Sequence, residues 1–406
     1  MRRDDERVSR IMEELKEQGL EAVVCSLPSN VLLLTGYWPV VGTAIAVVSR
    51  AGAVGLIAPS DEQDLVASGW PDQTWFFESG SVEVLRSAAD TIRQPLRELL
   101  RTFGVDQGRL GFEAGPHFQP CTYASMHLYG GGMERLIQEA CRASPVSADD
   151  LLARLRSVPT AGEIGRIRIA CEIAERAFRT GVRLLQPGQR EVEIAAGFRQ
   201  PLQLVTDDLL PARADGFAYC MTGPNSAEAY GAFARSRGRA VVPGDFLLLH
   251  CNSYADGYWT DITRTYCLGD PTERQRRMYE AVFSAREAAL AVIRPGVHAA
   301  AVDRAVREEL ENHRFGREFK HPTGHGVGFA AIDHNAPPRL HPQSVDVLEP
   351  GMVFNVEPAI YIDGFGGLRH CDMVLVTEHG IELLTPFHAS SEELILEAGM
   401  GSTTPR

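Results

Sequence analysis

GDFLLLHCNSYADGYWTDITRT, residues 244–265, is the stretch whose reading decides the fold. Two runs of alternating character flank Asp256-Gly257, a dipeptide suited to the left-handed conformations of a two-residue hairpin turn. With that turn, Ala255 faces Tyr258 and Asn252 faces Asp261. His250 lies two residues before Asn252, so period-two alternation places it on the face of Asp261, diagonally across. An imidazole and a carboxylate then project into one space. His250 also interrupts the otherwise apolar run Phe246–Leu249, which reads as buried.

Further along, HPTGHGVGFAAIDHNAPP (321–338) gathers His321, His325 and His334. Its glycines permit close backbone approach, and the histidines suit a metal or proton-transfer site. GMVFNVEPAIY (351–361) ends an apolar run at Glu357, a carboxylate that needs a cation or protons if buried. GGLRHCDMVLVTEHGIELLT (366–385) opens the next strand with Arg369, His370, Cys371 and Asp372.

Around these segments the chain has 406 residues, 44% hydrophobic and 23% charged, which fits two or three globular units and excludes a disordered chain or a disulfide-stapled scaffold. A net charge of -13 disfavours wholesale binding to nucleic acid or an anionic membrane, since both need a basic face. No run reaches the ~18 apolar residues of a membrane span. The N-terminal stretch lacks the apolar core of a signal peptide. Eight scattered cysteines without a C-x-x-C pair read as reduced thiols in a cytoplasm.

The first part, residues 1–150, alternates helix and strand. An amphipathic helix over Glu6–Gln18 precedes the short apolar runs EAVVCS, LLLTGY, TAIAVVS and AVGLIAP, which argue for an α/β domain. A polar joint near residue 150 leads into a long helix. The second part, 155–398, holds helices segregated from antiparallel strands, an α+β pattern. Two successive helix-then-hairpin blocks suggest an internal duplication.

Taken in order, these segments resemble the pita-bread superfamily of methionine aminopeptidase, aminopeptidase P, prolidase and creatinase. SLPSNVLLLTGY (26–37) is similar to the creatinase-type N-terminal domain, and TAGEIGRIRIACEIAERAF (160–178) to the entry into the catalytic domain. The resemblance implies an α/β N-terminal domain followed by an α+β pita-bread catalytic domain. It also implies two divalent ions held by Asp, Asp, His, Glu and Glu. Three of those positions match, at Asp261, His325 and Glu357. Where the first Asp belongs, eleven residues before Asp261, stands His250, and where the last Glu belongs stands Cys371. Tyr230 occupies the place of a peptidase His near the scissile amide. His321 and Arg369 match positions beside the metals in the aminopeptidase P branch. His334 corresponds to a proton-shuttling His, though it stands farther from His325 than the family pattern has it.

The two exchanges remove one to two units of negative charge from a site whose ions sit roughly 3.5–4 Å apart. A dinuclear centre is therefore not expected. The remaining cofactor readings are none, or one divalent ion on Asp261, His325 and Glu357, with His250 and Cys371 as softer ligands favouring zinc over manganese. The first functional reading is a creatinase-like hydrolase cleaving a C–N bond of a small amide, amidine or amino-acid derivative. His250, His325, His334 and Glu357 are its catalytic candidates. Asp261, Tyr230, His321 and Arg369 are its substrate-binding ones, the carboxylates holding a cationic nitrogen and Arg369 a substrate carboxylate. The alternatives are an Xaa-Pro metallopeptidase with a mononuclear site, a lyase, and a non-catalytic binding member of the fold. The resemblance further implies a homodimer, with Tyr37 and Trp38 of the N-terminal domain as pocket-wall candidates.

Overall fold

A computed structural model of the protein describes residues 2–397 apart from 40–42, 79–82, 84–86, 116–129, 187, 205–210 and 232–234. It divides into two compact units, Met1–Arg156 and Ser157–Arg406. Cys121 lies outside the described residues, and the other seven cysteines are free thiols. Among the described residues no helix is long and apolar enough to cross a membrane.

In the first unit, α1 (Asp5–Glu17) starts at Asp4, whose side chain accepts from the Arg7 N–H, and buries Val8, Ile11 and Leu15 along one face. The run LLLTGY, expected as a strand, belongs instead to helix α2 (Pro28–Thr35). Pro28 takes the first helical turn, where its missing N–H leaves no bond unmade, and Gly36 closes the helix at φ 68°. The strands are β1 (Ala22–Cys25), β2 (Ile45–Ser49), β3 (Val54–Pro59), β4 (Gln73–Phe77), β5 (Arg109–Phe112) and β6 (Ser144–Ser147). They form a mixed sheet in the order β4-β3-β2-β1-β5-β6. Helices α3 (Gln63–Val66), α4 (Ala88–Thr102) and α5 (Gly131–Ala140) accompany it. Leu96 and Leu99 of α4 and Ile137 of α5 share one core with Val24 and Val47 of the sheet. The segment after Ala143, read as a joint, supplies β6, which pairs in parallel with β5. Helix α6 (Asp149–Ser157) ends this region. Tyr37 is fully buried inside the same unit, its hydroxyl bonded to Glu62.

The second unit opens with α7 (Ala161–Arg183), whose Thr160 and Glu163 form a capping box, and α8 (Glu191–Gln203). Gly181 of α7 is packed under Phe198 of α8, where a Cβ would lie 2.4 Å from the ring. Next come β7 (Ala214–Thr222), β8 (Phe246–Ala255) and β9 (Tyr258–Leu268), then α9 (Glu273–Val292) and α10 (Ala299–Asn312). The chain finishes with β10 (Val353–Val356), β11 (Ala359–Ile362), β12 (Gly366–Arg369), β13 (Asp372–Thr377), β14 (Gly380–Leu383) and β15 (Ile395–Leu396). Strands β15-β9-β8-β7 make one sheet, β10-β13-β14 another, and β11-β12 a ribbon. The β8–β9 hairpin has the register read from the sequence, Ala255 opposite Tyr258 and Asn252 opposite Asp261. Its turn residues Asp256 and Gly257 have φ 48° and 87°, the double left-handed geometry that Asp-Gly favours.

Candidate active site

A cavity of about 260 Å³ opens in the second unit. The β8–β9 hairpin contributes His250, Asn252 and Asp261 to its lining, and the segment after α10 contributes His321, His325 and His334. Glu357, at the β10–β11 junction, and Arg369, at the end of β12, close the floor. Tyr219 and Tyr230 stand on the wall. All eight catalytic and substrate-binding candidates of the sequence thus meet at one pocket, while Cys371 lies fully buried behind Asp261.

Helix α10 sets the histidine segment. Asp303 accepts from both the N–H and the hydroxyl of Thr323, at 3.0 and 2.9 Å, and Arg307 Nη2 donates to the His321 carbonyl at 2.8 Å. Gly324 then lies so close to β10 that a Cβ would sit 2.0 Å from the Asn355 carbonyl oxygen. Only glycine tolerates that approach.

At the centre, Asp261 Oδ2 is 3.4 Å from His325 Nε2, which is 3.8 Å from Glu357 Oε1. Arg369 Nη1 lies 3.7 Å from Glu357 Oε2. His250 faces the other oxygen of Asp261 at 3.5 Å. Both of its ring nitrogens are engaged. Nε2 donates to Asn252 Oδ1 at 3.0 Å, leaving Nδ1 to accept from Thr263 Oγ1 at 2.9 Å. Arg369 Nε in turn donates to Thr263 Oγ1 at 3.0 Å. His321 donates from Nδ1 to the Pro322 carbonyl and accepts at Nε2 from the Tyr361 hydroxyl, 2.9 Å away.

Burial and neighbours push these groups apart. Burial drives His250 down to about 4, against the pull of Asp261 and with help from Arg369. Burial also opposes the charge of Asp261, but His250 and the bond to His325 outweigh it and hold that carboxylate low. Glu357 moves the other way, raised by burial and by Asp261 against the opposing pull of Arg369. His325 loses charge stability to burial yet ends raised, because Asp261 and Glu357 favour its imidazolium. Two carboxylates shifted in opposite directions around a histidine are an acid–base arrangement. Burial drives the Cys371 thiol far up, so it is a protonated group and not a thiolate nucleophile.

The donor set does not suit the metal pair that the resemblance implies. Two of the five positions are a neutral imidazole with both nitrogens bonded and a protonated thiol donating to the Asp261 carbonyl at 3.2 Å. The retained carboxylates already have close partners, Asp261 with His325 at 3.4 Å and Glu357 with the Arg369 guanidinium at 3.7 Å. Two added dications would leave positive charge uncompensated in a buried site. Among the described residues no group of three or more His, Cys, Asp or Glu side chains is arranged to hold an ion.

Several site residues escaped the sequence reading. Asn355 and Thr263 each lie two residues from a recognised site residue, Glu357 and Asp261, so strand alternation alone could have nominated them. Tyr219 reaches His250 because β7 pairs with β8 in that register, their rings stacked at 6.3 Å, and Tyr361 reaches His321 from β11. Those pairings join segments far apart in the chain and carried no local signal.

Comparison with known proteins places this geometry. The metallopeptidase family M24 matches residues 165–378, and the Creatinase/Prolidase N-terminal domain matches residues 7–158. The chain is 28% identical over 381 residues to the uncharacterized peptidase YqhT of Bacillus subtilis, covering 93% of this chain and 96% of that one. It is 27% identical over 382 residues to an Xaa-Pro dipeptidase of Pyrococcus horikoshii, covering 94% and 97%. The solved prolidase from Pyrococcus horikoshii OT3 superimposes with TM-score 0.73 at 25% identity, covering 94% of this chain and 98% of that one. An α/β N-terminal domain, an α+β pita-bread unit and these matches leave one assignment: the chain belongs to the metallopeptidase family M24, whose members hydrolyse C–N bonds, and carries that family's Creatinase/Prolidase N-terminal domain.

Proposed function

We propose that the chain hydrolyses a single C–N bond in a dipeptide-sized substrate, with Xaa-Pro dipeptides as the first class to test. The Xaa-Pro dipeptidase relative supports this over the creatinase-like reading with which the sequence began. The carrying observation is the row Asp261–His325–Glu357, spaced 3.4 and 3.8 Å, on the floor of a cavity of about 260 Å³. That volume lies just below the roughly 300–1,000 Å³ typical of small-molecule sites, which suits a small substrate.

The division of labour follows from the charges. Glu357, raised by burial, keeps a proton to deliver to the leaving nitrogen. His325, backed by Asp261, takes a proton from the attacking water. His250 has no free nitrogen for proton transfer; Thr263 and Asn252 fix its ring beside Asp261, 3.5 Å away. Arg369 flanks Glu357 at 3.7 Å, and Tyr230, 46% exposed at the cavity, presents an apolar face to the substrate. His334, whose ring centroid is 5.1 Å from that of His325, is the group that would pass the proton to solvent.

The test is release of proline from Xaa-Pro dipeptides, followed by mass spectrometry. The wild type is expected to release it, and Glu357→Gln to do so at least about a hundredfold more slowly. A wild type that leaves dipeptides intact but cleaves small amidines would favour the second reading, a creatinase-like hydrolase. The exchange of two anionic positions for His250 and Cys371 is what keeps that reading in play. A homodimer and a cytoplasmic location remain parts of this proposal, supported by the resemblance and by the reduced thiols.

A further inference from the structure

Asn355 is fully buried on β10, and its carboxamide touches two of the five positions at which the family holds metal. The backbone N–H of His325 donates to Asn355 Oδ1 at 2.7 Å, and a backbone N–H bonds only to an acceptor, so the orientation of the amide is settled. Nδ2 is therefore the atom turned toward His325 and Cys371. It lies 3.2 Å from His325 Nε2 and 3.5 Å from Cys371 Sγ. His325 Nδ1 donates to the Gly326 carbonyl at 3.1 Å, which leaves the lone pair of the neutral ring on Nε2, the atom that Asn355 addresses. The contact is enforced from the other side as well. The Asn355 N–H donates to the His325 carbonyl at 3.1 Å, and Gly324 presses against the Asn355 backbone with no room for a Cβ.

We propose that Asn355 is a positioning residue whose amide occupies the His325 lone pair and the Cys371 sulfur, thereby setting the His325 ring and denying that nitrogen to a metal ion. In the resting pocket Nε2 accepts from Asn355. The catalytic half of this idea rests on the role proposed above for His325, whereas the metal half stands independently of it.

Zinc chloride titrated into the chelator-dialysed full-length chain, followed calorimetrically, tests the metal half without any substrate. The wild type is expected to show no stoichiometric uptake at micromolar zinc. Asn355→Asp replaces the blocking donor with an anion beside Asp261, His325 and Glu357, and is expected to bind one zinc per chain at least about tenfold more tightly. His250→Asp, which restores an anion but keeps the Asn355 amide, is expected not to gain a site. Micromolar uptake by the wild type, a stoichiometric site in His250→Asp, or no gain in a folded Asn355→Asp would each overturn the proposal. Should Asn355→Asp fail to fold, the first two outcomes still decide it. For the positioning half, Asn355→Leu is expected to lower kcat at least about tenfold while KM stays within about threefold. An unchanged kcat in that variant would refute the positioning role, and dipeptides left intact by the wild type would count against the functional reading alone.

Discussion

Residues 369–372, which join β12 to β13, serve two ion clusters of different design. Arg369 lines the cavity and Cys371 lies behind its Asp261, whereas His370 and Asp372 are buried in the core. On the core side the Asp372 carboxylate is fully engaged, while the two ring nitrogens of His370 have no hydrogen-bond partner among the described residues. Asp372 accepts from Arg264 Nη2 at 2.7 Å, Arg286 Nε at 2.6 Å and the Thr385 hydroxyl at 3.1 Å. Arg264 spends its remaining donors on carbonyls of Thr263, Cys371, Thr385 and Phe387. On the cavity side the ionic contacts stretch to 3.4–3.8 Å, and Glu357 and His325 keep room for a substrate or water. The core cluster ties β9 to β13 and fixes the frame. The open one has unspent hydrogen-bonding capacity, which is what acid–base chemistry needs.

The two clusters should therefore fail differently. Asp372→Asn leaves two arginines buried against a neutral amide, and is expected to cost roughly 3–5 kcal/mol in chemical denaturation. Asp261→Asn should reduce dipeptide hydrolysis by about 10²–10⁴ while the unfolding midpoint moves little. An Asp261→Asn protein as destabilised as Asp372→Asn would erase the contrast.

Acid tests the core cluster by another route. Burial, with Arg264 close by, pushes His370 down to about 4. Between that value and the ordinary histidine value near ~6.5 the unfolded chain binds a proton that the folded chain refuses, so stability rises with pH across this window. Acidification from neutral pH toward ~4 is expected to remove up to about 3 kcal/mol through His370 alone. His250 and His321, both lowered by burial, act in the same direction. Melting temperature against pH reads the slope, and His370→Gln should flatten it by about one proton. The smallest effect belongs to the cavity wall. Tyr230→Ala should raise KM roughly fivefold, worth about 1 kcal/mol of aromatic contact, with no change in melting temperature.

Much of this was legible in the sequence because the signals were local. Asp256-Gly257 set the register of the β8–β9 hairpin, and with it the diagonal approach of His250 to Asp261. The order of the four motifs carried the catalytic unit and brought Asp261, His325, Glu357 and Arg369 to one pocket. Helix α2 was misread because its apolar residues are buried all round, Val31 through Leu34 alike, which removes the periodicity that separates helix from strand. Tyr37 was misplaced because a buried core aromatic and a pocket aromatic look the same in one dimension. The neutrality of His250 and Cys371 was readable, but the hydrogen bonds from Thr263 and Asn355 that use their lone pairs come from strand pairing and were not.

The most direct check is proline release by protein dialysed exhaustively against a chelator, assayed with and without added manganese. If the pocket balances its own charges, the two rates should agree within about twofold. Hydrolysis abolished by the chelator and restored by manganese would show that cations, and not Arg369 and His325, complete this site.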